Sequence, residues 1–160
     1  MDKEKTEKML ADFPILYRQY TWDMTRTCMC WGFSHGNGWE SIIRDLSTSI
    51  NAIVETMSPK DTSCETCGSE ASGHEEDHEF VPNFPVVVQV KEKFGTLRFY
   101  MDHATPEMNA MISKAEAKSA VTCEQCGETG SLRSGGWMRT LCDPCDEAYL
   151  ERRRNPPKEL

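Results

Sequence analysis

Thr122-Cys123-Glu124-Gln125-Cys126-Gly127, followed by Leu141-Cys142-Asp143-Pro144-Cys145, is the stretch from which the C-terminal fold is read. Fifteen residues separate Cys126 from Cys142, a spacing that matches two CxxC pairs closing on one zinc ion. Each pair makes a tight turn that aims two sulfurs at a common centre, and two such turns complete a tetrahedron. Gly127 suits the first turn, Gly130, Gly135 and Gly136 permit a hairpin between the pairs, and Trp137, Met138 and Leu141 give it side chains to pack. Cys123, Cys126, Cys142 and Cys145 are therefore expected to hold a structural zinc ion, with all four positions taken by sulfur. The opposing reading is four buried, reduced cysteines that behave as small apolar side chains.

Upstream of this site, two alternating runs flank a glycine. Val86, Val88 and Val90 alternate with Val87, Gln89 and Lys91; Leu97, Phe99 and Met101 alternate with Thr96, Arg98 and Tyr100. That pattern predicts a β-hairpin turning at Phe94-Gly95, with one apolar face and one basic, aromatic face. Thr105-Pro106-Glu107 reads as a helix start, with a capping hydroxyl, proline at the first position and an early carboxylate. Further upstream, Trp39, Ile42, Ile43, Leu46, Ile50, Ile53, Val54 and Met57 lie on one stripe of a helix that Pro59 stops. Asp2 to about Tyr20 reads as helix with a break near Asp12-Phe13-Pro14, where Asp12 is expected to cap a new helix. Thr21 to Gly38 reads as irregular, ending in an Asn37-Gly38 turn.

The expected fold class is α+β. Residues 1–57 form a helical body, 58–80 an acidic CxxC/HxxxH zinc-knuckle insert, 81–119 a β-hairpin plus helix, and 120–160 a zinc ribbon with a C-terminal helix and tail. In the insert, Cys64-x2-Cys67 precedes His74-x3-His78 by six residues. Two cysteines and two histidines make a known zinc shell, and the histidine spacing places both rings on one side of a helical turn. A flexible acidic loop with incidental histidines is the rival reading. Cys28, Cys30 and His35 offer a third group, but one intervening residue is poor geometry for two ligands, and buried free cysteines explain the pair as well.

The chain has 160 residues, eight cysteines and a formal net charge of −8. The acidic excess falls in the first half; basic and acidic groups balance in the second. Eight cysteines without an export signal favour metal over disulfides in a reducing, cytoplasmic setting. No apolar run reaches the roughly 20 residues that span a bilayer. The overall charge repels nucleic acid, whose non-specific affinity comes from neutralised phosphates. Any such contact falls to a local set: Lys91, Lys93, Arg98 and Tyr100 on the hairpin, with Arg133 and Arg139 near the cysteine pairs. A solvated strand face has the same composition. No serine elbow, phosphate-binding glycine loop or HExxH helix is present, and the deaminase H-x-E with P-C-x-x-C pattern is absent as a unit. The expectation is a protein that is not an enzyme.

The run Val90-Lys91-Glu92-Lys93-Phe94-Gly95-Thr96-Leu97-Arg98-Phe99-Tyr100, with Thr122 to Gly127 and Gly136-Trp137-Met138-Arg139-Thr140-Leu141-Cys142, resembles small zinc-ribbon proteins of bacteriophages and prophages. The Gly38-Trp39 helix start is similar too, so the resemblance covers the helix from Trp39 and most of Val86 to Cys145. It implies a phage accessory protein acting in the host cytoplasm by binding a host or bacterial-defence protein. The two structural zinc ions rest on the ligand spacings, not on the resemblance; under the partner-binding reading Glu75, Glu76 and Asp77 compete for a basic surface of the partner. The alternative is a nucleic-acid-binding or transcription-linked adaptor.

Overall fold

The computed structural model describes residues 1–57, 64, 83–134 and 136–155. Four helices and two small sheets make a mixed α and β molecule among these residues: α1 (Lys3–Asp12), α2 (Glu40–Val54), α3 (Pro106–Ser119) and α4 (Asp143–Arg154). The first sheet has the order β1 (Phe33–Ser34), β2 (Val86–Lys93), β3 (Thr96–Asp102); the second pairs β4 (Ser131–Arg133) with β5 (Arg139–Leu141).

Asp2 caps α1 by accepting the Lys5 amide. The second helix expected after Asp12 does not form. Phe13 precedes proline, which disfavours helical backbone, and it ends α1 at φ −132° and ψ 56°. The chain then makes a turn and a 3-10 segment, Arg18–Thr21. This irregular path has its own partners: Leu16 O accepts the Val87 amide at 3.0 Å, and Arg18 donates to Phe84 O and Pro85 O at 2.7 and 2.9 Å. Arg44 on α2 ties back to the end of α1 through Asp12 and to Glu40 through its Nε.

On α2, Ile42, Ile43, Leu46, Ile50 and Val54 are buried as the stripe predicts, whereas Ile53 and Met57 are half-buried. The helix proper ends at Val54 and continues as turns to Met57. α3 starts as expected, with Thr105 Oγ1 accepting the Met108 amide and Pro106 in the first turn. It contacts both α2 and β3, and it buries Met108, Ile112 and Ala115 in the shared core.

The hairpin forms, but its apolar face differs from simple alternation. Val87 pairs with Met101 and Gln89 pairs with Tyr100, so Val88 is an extra residue, a β-bulge. A bulge shifts the two-residue phase. Val87 and Val90 thereby share the core face with Leu97 and Phe99, and Val88 is only half-buried. Strand β1 pairs parallel to β2, Phe33 with Val90, a two-residue element too short for a periodicity signal. The outer edge of β3 is covered by α3. Ser119 Oγ accepts the Leu97 amide at 2.8 Å and Glu116 Oε1 accepts the Phe99 amide at 3.2 Å. Capping the edge in this way blocks pairing with another strand there.

Candidate metal centre

The sulfurs of Cys123, Cys126, Cys142 and Cys145 all lie within 4.8 Å of one another, and this is the one such metal-competent group among the described residues. A tetrahedral ion with metal–sulfur bonds of 2.3 Å needs sulfurs about 3.8 Å apart. Cys126 Sγ and Cys142 Sγ stand 3.5 Å apart. The donor set fits a divalent, thiolate-loving ion without rearrangement of the backbone.

The two turns are built differently. In the first, the Cys123 amide donates to Glu128 O at 2.7 Å and the Gly127 amide to Cys123 O at 2.9 Å. Gly127 has φ +87°, a backbone conformation that favours glycine. The second pair opens α4. Cys142 is its N-cap, Pro144 sits in the first turn, and the Asp146 amide bonds Cys142 O at 3.0 Å. A helix start carries unpaired amides and the positive end of the helix dipole, which favour thiolate.

Protonation differs among Cys123, Cys126 and Cys145. Burial opposes ionisation of Cys123, but amides of Cys142, Cys126 and Gln125 donate to its sulfur and bring its pKa down to about 7. Cys126 receives the Glu128 amide, which favours thiolate, yet burial and the sulfurs of Cys123 and Cys142 hold it above its ordinary value. Cys145 is raised by burial and by its three sulfur neighbours. Four sulfurs this close ionise together only around a cation, so metal binding is coupled to proton release. With four sulfurs bound, the tetrahedron has no place for water.

The first turn is clasped by the segment before α2. Gly38 N–H donates to Glu124 O at 2.7 Å, Gly36 N–H to Glu124 Oε1 at 2.9 Å, and Trp39 Nε1–H to Thr122 O at 2.8 Å. The approach is so close that a Cβ on Gly38 would stand 2.1 Å from Cys123 O and 2.4 Å from Gly127 N. Glu124 is only 3% exposed; its second oxygen accepts Arg139 Nε at 3.1 Å and its amide donates to Thr140 O at 2.9 Å. Buried Thr140 donates to Gly95 O at 2.6 Å, joining β5 to the hairpin turn. Sequence reasoning missed Glu124 and the Gly36–Gly38 pair. The glycines flanking Asn37 were a signal for close backbone approach, but their partner lies more than eighty residues away.

Cys64 is buried, while Cys67, His74, His78, Glu75, Glu76 and Asp77 lie outside the described residues. Cys28 is exposed, Cys30 Sγ donates to Thr27 O at 3.2 Å, and His35 Nδ1 bonds Gly36 O at 2.7 Å. Lys91 pairs with Arg98 and Gln89 with Tyr100 across the hairpin, and Lys91 Nζ lies 5.5 Å from the Tyr100 ring centroid. Arg133 and Arg139 are engaged internally. Arg133 donates to Leu141 O and Asp143; Arg139 bonds Glu124 and packs over Tyr149.

Comparison of the chain with protein-family models, with curated proteins and with solved structures gives no match. No helix among the described residues is long and apolar enough to cross a membrane.

Proposed function

We propose that the protein is a non-enzymatic binding protein of the phage accessory type, in which zinc at Cys123, Cys126, Cys142 and Cys145 holds a recognition surface that captures a host or bacterial-defence protein. A second zinc at Cys64, Cys67, His74 and His78 and a location in the host cytoplasm belong to the same reading. The observation that carries it is the contrast between a thiol set completed by four sulfurs and large apolar side chains left on the surface nearby. Phe94, Trp137 and Leu132 are all exposed, at the hairpin turn and in the segments around β4 and β5. Clustered exposed apolar groups mark sites of protein association more often than sites of chemistry.

The second reading, a nucleic-acid adaptor, draws on Lys91, Arg98 and Tyr100 sharing one face. It is weakened by a net charge of −8 and by the internal partners of Arg133 and Arg139. Three measurements test the proposal. Native mass spectrometry of reduced, purified protein should show two tightly held zinc ions. Gel shifts with DNA and RNA at low and moderate salt should show no complex, and affinity capture from expressing cells should return a stoichiometric protein partner. A salt-sensitive nucleic-acid complex without a protein partner would favour the adaptor instead.

A further inference from the structure

The hairpin turn carries an unusual residue. Lys93 pairs with Thr96, so Phe94 and Gly95 form a two-residue turn, and both have positive φ, +53° and +79°. Such turns favour Asn-Gly or Gly-Gly, because side chains beyond Cβ crowd the left-handed conformation. Here the position holds an aromatic ring that is 65% exposed, so core packing does not explain it. An exposed ring kept in a strained conformation points to work done at the surface.

Phe94 has neighbours of matching character. Trp137 is 70% exposed, yet its Nε1–H is pinned to Glu92 Oε2 at 2.9 Å, which fixes the indole in advance of any contact. The other Glu92 oxygen accepts the Gly95 amide at 2.7 Å, so this carboxylate is occupied in holding the turn and the indole. Between them lies a groove of about 410 Å³, lined by Lys91, Glu92, Lys93, Phe94, Trp137 and Met138. Lys91 and Lys93 make ring contacts but no ion pair with any described residue.

We propose that this groove docks a short peptide segment of a protein partner, one that places an aliphatic or aromatic side chain between Phe94 and Trp137 and an aspartate or glutamate against Lys91 and Lys93. The proposal deepens the protein-binding reading above and rests on it. Preset aromatic anchors in a concave site are what concentrates binding energy at an interface. The charge pattern selects the occupant: two lysines without a carboxylate partner among the described residues complement one or two acidic groups. A chain of net charge −8 repels a nucleic-acid polyanion far more strongly than a segment bearing a few carboxylates.

The test uses the full-length, zinc-loaded protein as bait for a random dodecapeptide display library. Enriched peptides are synthesised with a fluorescent label and titrated by anisotropy. The expected consensus sets Asp or Glu within a few residues of Leu, Phe or Trp. Phe94→Asn and Lys91→Glu/Lys93→Glu should each weaken binding about tenfold or more, with zinc content unchanged. Phe94→Asn should also melt at a higher temperature, because asparagine relieves the turn; loss of binding with gain of stability rules out simple misfolding. The proposal is overturned if no peptide is enriched, if the consensus is basic, or if neither variant weakens binding. Competition by a twelve-residue oligothymidine at equal or lower concentration than the peptide, or self-association through the groove, overturns it as well. Partner capture from cells that survives Phe94→Asn would remove this surface while leaving the protein-binding reading intact.

Discussion

Gly38→Ala tests the clasp between the Cys123–Cys126 turn and the body. The added Cβ would meet Cys123 O at 2.1 Å, Gly127 N at 2.4 Å and Cys126 N at 2.8 Å. All three are backbone atoms, so no side chain can swing aside, and the turn must retreat by about 1 Å to restore ordinary contact. Overpacking of this kind costs about 2 kcal/mol. Retreat also lengthens the bonds from Gly38 N–H to Glu124 O and from Trp39 Nε1–H to Thr122 O, at about 1 kcal/mol each. Alanine restricts the unfolded chain and returns about 0.7 kcal/mol. The net loss is about 3 kcal/mol, or about 6–12 °C in melting temperature for a chain of this length. Calorimetry of the zinc-loaded variant reads the first quantity. Competition with a chromogenic chelator reads the affinity for zinc, which should fall about tenfold because the first cysteine pair is displaced from the second. A variant that melts within a degree or two of the parent and holds zinc equally well would refute the clasp.

Three further outcomes follow from the same geometry. Stripping metal with a strong chelator should expose the amides of Gly38, Glu124 and Gly127 to hydrogen exchange together, while Ile43 to Ile50 on α2 stay protected; loss confined to residues 123–145 would show that the clasp transmits nothing. Glu124→Gln removes the charge facing Arg139 within a 3% exposed residue and should cost about 2 kcal/mol by denaturant titration, whereas a neutral effect would mean the pair is solvated. His35 is held neutral, mainly by burial, with its bond to Gly36 O opposing and the Met1 amino group assisting, and its pKa falls to about 4. The unfolded chain takes up this proton below about pH 6.5 and the folded chain does not, so stability drops as pH falls from 6.5 toward 4. His35→Gln should therefore remove about 2 kcal/mol of the stability difference between pH 7.5 and pH 5, read against the parent in the same metal state; equal pH slopes would contradict a buried neutral imidazole.

Several elements were legible because their signal is local. The α2 stripe repeats every three or four residues, Thr105-Pro106-Glu107 carries its own cap, and two CxxC pairs bring sulfurs together wherever the intervening chain can turn back. Other features left no such mark. Val88 belongs to an alternating run, yet the bulge moves it off the core face, and a bulge among three successive valines has no distinguishing residue. Phe13-Pro14 read as the approach to a second helix; the carbonyl of Leu16 instead serves the Val87 amide, a partner that exists only after the hairpin docks. Arg133 and Arg139 read as free cations until Asp143 and Glu124 were found beside them.

By itself the sequence determined which residues can form helices, which run can form a hairpin, and that four cysteines can meet at one centre, because each depends on contacts within a few residues or on a fixed spacing. Only the tertiary structure decided that the Cys123–Cys126 turn is locked against Gly36 and Gly38, that Glu124 is buried as a hub, and that Phe94 and Trp137 share one groove. Those arrangements join segments tens of residues apart, and their energies come from backbone approach and burial that no local pattern encodes.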